Sequence, residues 1–208
     1  MSVAGIVLAA GRSSRMGEPK ALLGIDGVTF LERAIDILME GGCTAVAAVL
    51  GPGEAARRPG EISRRKGALP VENPREHAEQ IDSLRVGLGS LPEAAEAAIV
   101  LPVDHPLAEA RTVQELIRAF RASGLPIVRP VYNDRPGHPV LFARVLWKEL
   151  AEPDLADGAR EVVRRHAERI LDVTIGDRGV AVDIDTPEDY RWECGSRAGA
   201  STSPRPWQ

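Results

Sequence analysis

Aromatic residues are scarce in this sequence: Phe, Trp and Tyr make up 4% of it. Platforms that stack nucleic-acid bases need such rings, so none is expected. Positive charge is not in surplus either. Lys and Arg number 26 against 30 Asp and Glu, a formal net charge of −4, which argues against a general nucleic-acid binder. There are two cysteines, Cys43 and Cys194, far apart and without metal-type spacing. A structural zinc is therefore not expected, and reduced thiols are. No apolar stretch reaches the roughly 18 residues of a membrane span. The opening residues lack a basic n-region and run straight into Gly11 and arginines, so no signal peptide is read and the cytoplasm is the expected location.

The rest of the composition is that of a globular domain, with 208 residues, 44% of them hydrophobic and 27% charged. Residues 3–10 (VAGIVLAA) form an apolar run of the kind found in a strand covered on both faces. Similar runs recur at 45–50, 98–103, 126–131, 139–142 and 180–184. Helical signatures fall between them. Thr29 and Glu32 read as a capping box ahead of Phe30, Leu31, Ala34, Ile35 and Leu38, closed by Gly41-Gly42. Thr112 and Glu115 repeat that device before Leu116, Ile117 and Phe120. Asn73-Pro74 with Glu76 reads as the start of a third helix bearing Ile81, Leu84 and Leu88. Asp157-Gly158 opens a fourth with Val162 and Val163 inside. Strands alternating with helices predict a doubly wound α/β sandwich. Residues 52–68, rich in Gly, Pro and Arg, read as a solvated helix or loop, and residues 193–208 as a disordered tail.

The stretch LAAGRSSRMGEPK, residues 8–20, leaves the first strand through Gly11 and carries Arg12, Arg15 and Lys20. In an open α/β sheet, ligands bind outside the carboxyl ends of strands, where this loop begins. Gly11 permits close approach, and the amides of Gly11 to Ser14 can form an anion-binding nest. The three cations would then surround something like a triphosphate. A P-loop is excluded because Gly11 and Gly17 are one residue too far apart and Lys20 does not follow Gly17; a dinucleotide G-x-G-x-x-G is absent from the loop. Pro19 argues against a long helix directly after it.

These residues resemble the signature loop of MobA-like nucleotidyltransferases, L-A-A-G-R-S-x-R-M-G-x-x-K, complete at Leu8–Lys20. Within that family the chain looks most like the molybdenum cofactor cytidylyltransferases. Residues 83–88 (SLRVGL), 102–106 (PVDHP), 137–142 (GHPVLF), 157–160 (DGAR) and 183–189 (DIDTPED) agree in order. The resemblance implies a three-layer α/β/α sandwich with a mostly parallel, Rossmann-like sheet of the nucleotide-diphospho-sugar transferase type, one domain over residues 1–192. It implies an enzyme that uses Mg²⁺ to transfer CMP from CTP to the phosphate of molybdopterin cofactor, releasing pyrophosphate. Phosphoryl-type transfer asks for positioning and charge neutralisation rather than a protein nucleophile, and the chain offers no obvious Ser–His–Asp or Cys–His set.

Carried over residue by residue, the resemblance makes Arg15, Lys20 and Asp104 catalytic. It places Leu8, Ala9, Ala10, Gly11, Arg12, Ser13, Ser83 and His138 against the bound molecules, and makes Asp104 and Asp185 the Mg²⁺ ligands. Mg²⁺ favours one or two carboxylates plus phosphates and water. Each residue also has a plainer reading. Asp104 could cap the turn before His105-Pro106. Asp185 precedes a helix start with Thr186 at N-cap, Pro187 at N1 and Asp189 at N3, with Asp183 as the alternative ligand. His138 could be a plain loop histidine. Asp157 and Arg160 fit either an anionic acceptor or a helix cap and a solvated arginine.

The chain departs from its relatives at Glu79-Gln80-Ile81-Asp82, where a Gly-Met-Ser-Ser-type stretch is common. That departure bears on the acceptor. Ala9-Ala10-Gly11 goes with CTP in the family, and an Ala-Gly-Gly form with GTP. Two other readings stay open: transfer to another small phosphorylated acceptor or from GTP, and a non-catalytic protein that carries molybdenum cofactor to a molybdoenzyme or its chaperone.

Overall fold

The protein is described from a computed structural model, which covers residues 2–11, 16 and 18–195. Within these, strands β1 (Ser2–Ala9), β4 (Val46–Leu50), β5 (Leu69–Glu72), β6 (Ala95–Pro102), β7 (Ile127–Tyr132), β9 (Val140–Ala143) and β10 (Ile170–Thr174) form one sheet in the order β10-β7-β9-β6-β1-β4-β5. A short β8 (Arg135–Pro136) pairs with β7. The pairs β6-β1, β1-β4, β4-β5 and β10-β7 are parallel, and β9 runs antiparallel to both its neighbours. A separate hairpin joins β2 (Gly24–Ile25) to β3 (Val28–Thr29) through Asp26 and Gly27, both at positive φ as a type I′ turn requires.

Helices cover both faces. On one side lie α1 (Phe30–Glu40), α2 (Arg57–Arg65), α4 (Ala110–Ser123) and α7 (Pro187–Gly195); on the other α3 (Gln80–Ser90), α5 (Trp147–Leu150) and α6 (Ala159–Arg165). The two faces of β1 explain its unbroken apolar run. Val3 and Val7 enter the core with Phe30, Leu31, Ile35 and Leu116, while Ile6 and Leu8 enter the core with Ile81, Leu84 and Val162. The expected three-layer α/β/α sandwich with a mostly parallel sheet is the fold found.

Local chemistry fixes several boundaries. α1 begins with the Thr29–Glu32 capping box and α4 ends at Gly124 in the left-handed conformation, both as expected. Elsewhere the structure corrects the sequence reading. α4 starts at Ala110, and Thr112 lies inside it. Its hydroxyl donates to Asp177 Oδ2 at 2.7 Å, and the same carboxylate oxygen accepts from the Glu109 N–H at 2.8 Å. The helix is thus capped from a distant segment. α3 starts at Gln80, well after Asn73, because Asn73 is buried and donates to Ser83 Oγ at 3.1 Å. The first turn of α3 is held instead by Asp82 Oδ2, which accepts from the Glu79 N–H at 3.1 Å.

Residues 180–184 do not pair as a strand. After one 3-10 turn (Arg178–Ala181), the chain spends its backbone bonds on loops: Val180 C=O accepts from the His138 N–H and the Ile184 N–H donates to Asp104 C=O, each at 2.9 Å. Val180, Val182 and Ile184 are buried all the same, which is why the run looked like a strand. α7 continues to Gly195, past the boundary expected at 192. Arg178 makes two hydrogen bonds to the Glu193 carboxylate, at 2.8 and 2.6 Å, and Tyr190 OH donates to Gly24 C=O. Residues 196–208 lie outside the described residues.

Candidate functional site

The carboxyl ends of β1 and β6 open onto a cleft of about 320 Å³ lined by Leu8, Ala10, Gly11, Lys20, Ala78, Glu79, Gln80, Ser83, Pro102, Val103, Asp104 and Asp185. Parallel strands deliver Leu8 and Asp104 to the same edge, and the Val103 N–H donates to Leu8 C=O at 3.0 Å. Lys20 opens a 3-10 turn, Lys20–Leu22, with Pro19 before it and the extended Leu23 ending it. Asp185 arrives on the strand-like segment before α7, whose first turn is closed by Thr186 and Asp189. The Asp189 carboxylate accepts from the Thr186 N–H at 2.9 Å and from its hydroxyl at 2.6 Å. Helix capping is therefore done by Thr186 and Asp189, and Asp185 faces the cleft.

Lys20, Asp104 and Asp185 meet there. Lys20 Nζ lies 3.3 Å from Asp104 Oδ2 and donates also to Asp185 Oδ1. The Lys20 side chain is only 12% exposed, against 28% for Asp104 and 47% for Asp185. Asp104 Oδ1 is buried without a hydrogen-bond partner among the described residues, 3.9 Å from His105 Nε2. Two hard carboxylates, one with a spare buried oxygen, are a donor set that could hold a divalent cation such as Mg²⁺. At the cleft floor, Asn73 fixes the Ser83 hydroxyl.

A second, larger cavity of about 760 Å³ adjoins the first and shares Leu8, Glu79 and Gln80 with it. Its floor is apolar (Ile81, Leu84, Val100, Val140, Phe142), and its rim carries His138, Arg129, Asp157, Arg160 and Arg164. The His138 and His105 rings pack at a tilt of 53° with centroids 4.8 Å apart, and both Nδ1 atoms are buried without a hydrogen-bond partner among the described residues. Burial pushes the His138 pKa down to about 3, with the neighbouring His105 adding to the effect. Burial lowers His105 too, opposed by the charges of Asp104, Asp183 and Asp185. Both imidazoles are neutral at physiological pH. The Cys43 thiol, not in a disulfide, is pushed up to about 12 by burial and is inert.

Of the residues singled out in the sequence, Leu8, Ala10, Gly11, Lys20, Ser83, Asp104 and Asp185 share the smaller cleft, and His138, Asp157 and Arg160 line the larger one. Ala9 packs against the α1 side of the core, and Asp183 is exposed, off the cleft wall. Arg12, Ser13 and Arg15 lie outside the described residues. Asn73, read in the sequence only as a helix start, was not anticipated at the site, whereas Gln80 belongs to the 79–82 segment singled out as bearing on the acceptor; the E-x-x-D spacing of Glu79 and Asp82 was the available sign that α3 begins beside the cleft.

Comparison with known proteins agrees with this architecture. The model of the MobA-like NTP transferase domain matches residues 5–170. The chain belongs to that family. Among MobA-like relatives, it is 31% identical over 202 residues to a probable molybdenum cofactor guanylyltransferase of Opitutus terrae, covering 92% of this chain and 88% of the relative. It is 29% identical over 204 residues to a nicotine blue oxidoreductase of Paenarthrobacter nicotinovorans, covering 91% and 95%. Among solved structures, Rv0371c of Mycobacterium tuberculosis in complex with manganese superposes with a TM-score of 0.78 at 28% identity, over 94% of this chain and all of that one. The chain is thus an enzyme of the MobA-like nucleotidyltransferase type. No helix among its described residues is long and apolar enough to cross a membrane.

Proposed function

We propose that this nucleotidyltransferase uses Mg²⁺ to transfer CMP from CTP to the phosphate of a molybdopterin-type acceptor. The observation that carries the reading is the convergence of Lys20, Asp104 and Asp185 on one cleft at the lip of the sheet. Arg15 and Lys20 would hold the triphosphate, Arg as a planar fork and Lys as a point charge. The backbone at Leu8–Ser13, Arg12 included, would cradle it, with Ser83 facing the nucleoside. Asp104 and Asp185 would hold the Mg²⁺, which neutralises charge on the phosphates when bound. Asp104 Oδ1, buried and without a hydrogen-bond partner among the described residues, supports that assignment.

The larger cavity suits the acceptor. An apolar floor beneath a cationic rim fits a flat ring system that ends in a phosphate, with His138 neutral against it and Arg160 beside it. Because the two cavities share Leu8, Glu79 and Gln80, an acceptor oxygen could reach the α-phosphorus. A bond forms between that oxygen and phosphorus, the bond to the bridging oxygen of the β-phosphate breaks, and pyrophosphate leaves. No general base is needed for a phosphate nucleophile, which is already ionised. A cytoplasmic site of action, with hand-over to a molybdoenzyme or its chaperone, goes with this reading.

GTP as donor is a second reading, favoured by the names of several relatives at 30–31% identity, each a probable molybdenum cofactor guanylyltransferase. Ala10 on the cleft wall favours the smaller base. Release of pyrophosphate from CTP or GTP with Mg²⁺ and candidate acceptors tests both. Nucleotide binding without release on any acceptor would replace them with a cofactor-delivery role.

A further inference from the structure

The Lys20 ammonium sits where its position does more than wait for a phosphate. It bridges two carboxylates brought from distant parts of the chain, with its side chain 12% exposed. A cation that far out of water needs anionic partners, and two crowded carboxylates need a cation between them. The backbones that carry the two carboxylates are tied together, because the Ile184 N–H is bonded to the Asp104 carbonyl one residue before Asp185. Lys20, by contrast, combines a fixed backbone with a flexible four-carbon stem: the Leu23 N–H donates to its carbonyl at 3.1 Å, and the side chain lines the cleft with Gly11 and Ser83. A divalent cation and an ammonium repel each other and draw on the charge of the same two carboxylates. Asp104 and Asp185 therefore cannot serve both at full strength.

We propose that Lys20 is the resident counter-ion of the Asp104–Asp185 pair, displaced when a divalent cation enters and retained on the nucleotide's phosphates. This rests on the reading of Asp104 and Asp185 as the cation's ligands. Its consequence is a reciprocal coupling: the triphosphate removes the metal's competitor, and the metal frees the ammonium for the triphosphate. The site then takes metal and nucleotide as a unit and discriminates against metal alone.

The test uses Mn²⁺ without nucleotide. Calorimetry should show Lys20→Met binding Mn²⁺ about tenfold more tightly than the parent, within the usual range of such couplings, and Lys20→Arg as weakly as the parent. In a second measurement on the unmodified protein, acetylation of Lys20 by acetic anhydride, read by mass spectrometry, should rise several-fold when Mn²⁺ saturates. Equal or weaker Mn²⁺ binding by a folded Lys20→Met, or labelling that does not respond to Mn²⁺, overturns the proposal. If Lys20→Met does not fold, the labelling result decides. Asp104→Asn separates the two layers of argument. Loss of its Mn²⁺ binding keeps the carboxylate assignment even when the Lys20 results fail, whereas unchanged binding removes that assignment and the coupling with it.

Discussion

The Ile184 N–H donates to the carbonyl of Asp104 at 2.9 Å, and that bond places two carboxylates side by side at the end of β6. The segment carrying Ile184 is threaded between two loops through close backbone approaches. A Cβ on Gly179 would stand 1.9 Å from the Leu107 carbonyl oxygen, and one on Gly137 would stand 2.1 Å from that of Val180. Backbone atoms cannot step aside as a side-chain tip can. Gly179→Ala is therefore expected to lower stability by about 3 kcal/mol, at the upper end of overpacking costs, and to weaken metal and nucleotide binding through the displaced Asp185. Gly176→Ala, where a Cβ meets nothing within 4 Å, should stay within roughly 0.5 kcal/mol of the parent. Urea denaturation of both variants checks the contrast, and equal midpoints would refute it.

Asp104 itself contributes charge to the cleft and little to the fold. One carboxylate oxygen meets Lys20 at 3.3 Å and the other has no hydrogen-bond partner among the described residues. Replacing it with Asn relieves like-charge crowding with Asp185 and keeps the side-chain volume. Turnover of Asp104→Asn should fall about a hundredfold or more, as when one stabilising group is taken from a phosphoryl-transfer site. Its Tm should move by no more than about 2 °C. Parallel losses of activity and Tm would assign Asp104 to the fold.

Much of this arrangement could be read from local sequence. The run at 3–10 announces a doubly covered strand, and Thr29–Glu32 announces the start of α1, because those signals arise within one element. Lys20, Asp104 and Asp185 were legible as a set only through the family resemblance. Their meeting depends on the order of parallel strands and on Gly179 and Gly137, which encode approaches between segments far apart in the chain. Thr112 shows the same limit from the other side: a local capping pattern was overridden when buried Asp177, held also by the Gly179 N–H at 2.8 Å, reached the helix end first. β5 and β10 were missed because Pro70 and Asp172 interrupt their apolar pattern. Both are edge strands, where proline and charge are tolerated.

His138 gives the protein a specific acid sensitivity. Its pKa is 6.5 when exposed and about 3 in the fold, lowered by burial and by His105. Above the higher value both states are neutral there and pH has no effect through this group. Between the two, the unfolded chain binds a proton that the folded chain refuses, so stability falls as pH falls, by about 1.4 kcal/mol per pH unit at most. His105 acts in the same direction. Chemical denaturation at pH 7, 6 and 5 should therefore show a shallower loss in His138→Asn than in the parent, whatever the offset in absolute stability. Identical slopes would show that the ring is not held neutral.

Ala10 bears on the choice of base. It lines the smaller cleft next to Gly11. Gly51 stands behind it, on the side of the Ala10 carbonyl oxygen. Trimming Ala10 to Gly should shift the ratio of CTP to GTP affinity toward GTP by about tenfold, the usual worth of one methyl-sized change in a pocket wall. Titration of the parent and Ala10→Gly with each nucleotide in the presence of Mg²⁺ reads this directly. A ratio that does not move would place base selection elsewhere, with Glu79 and Gln80 the next side chains to exchange, since they are the polar walls both cavities share.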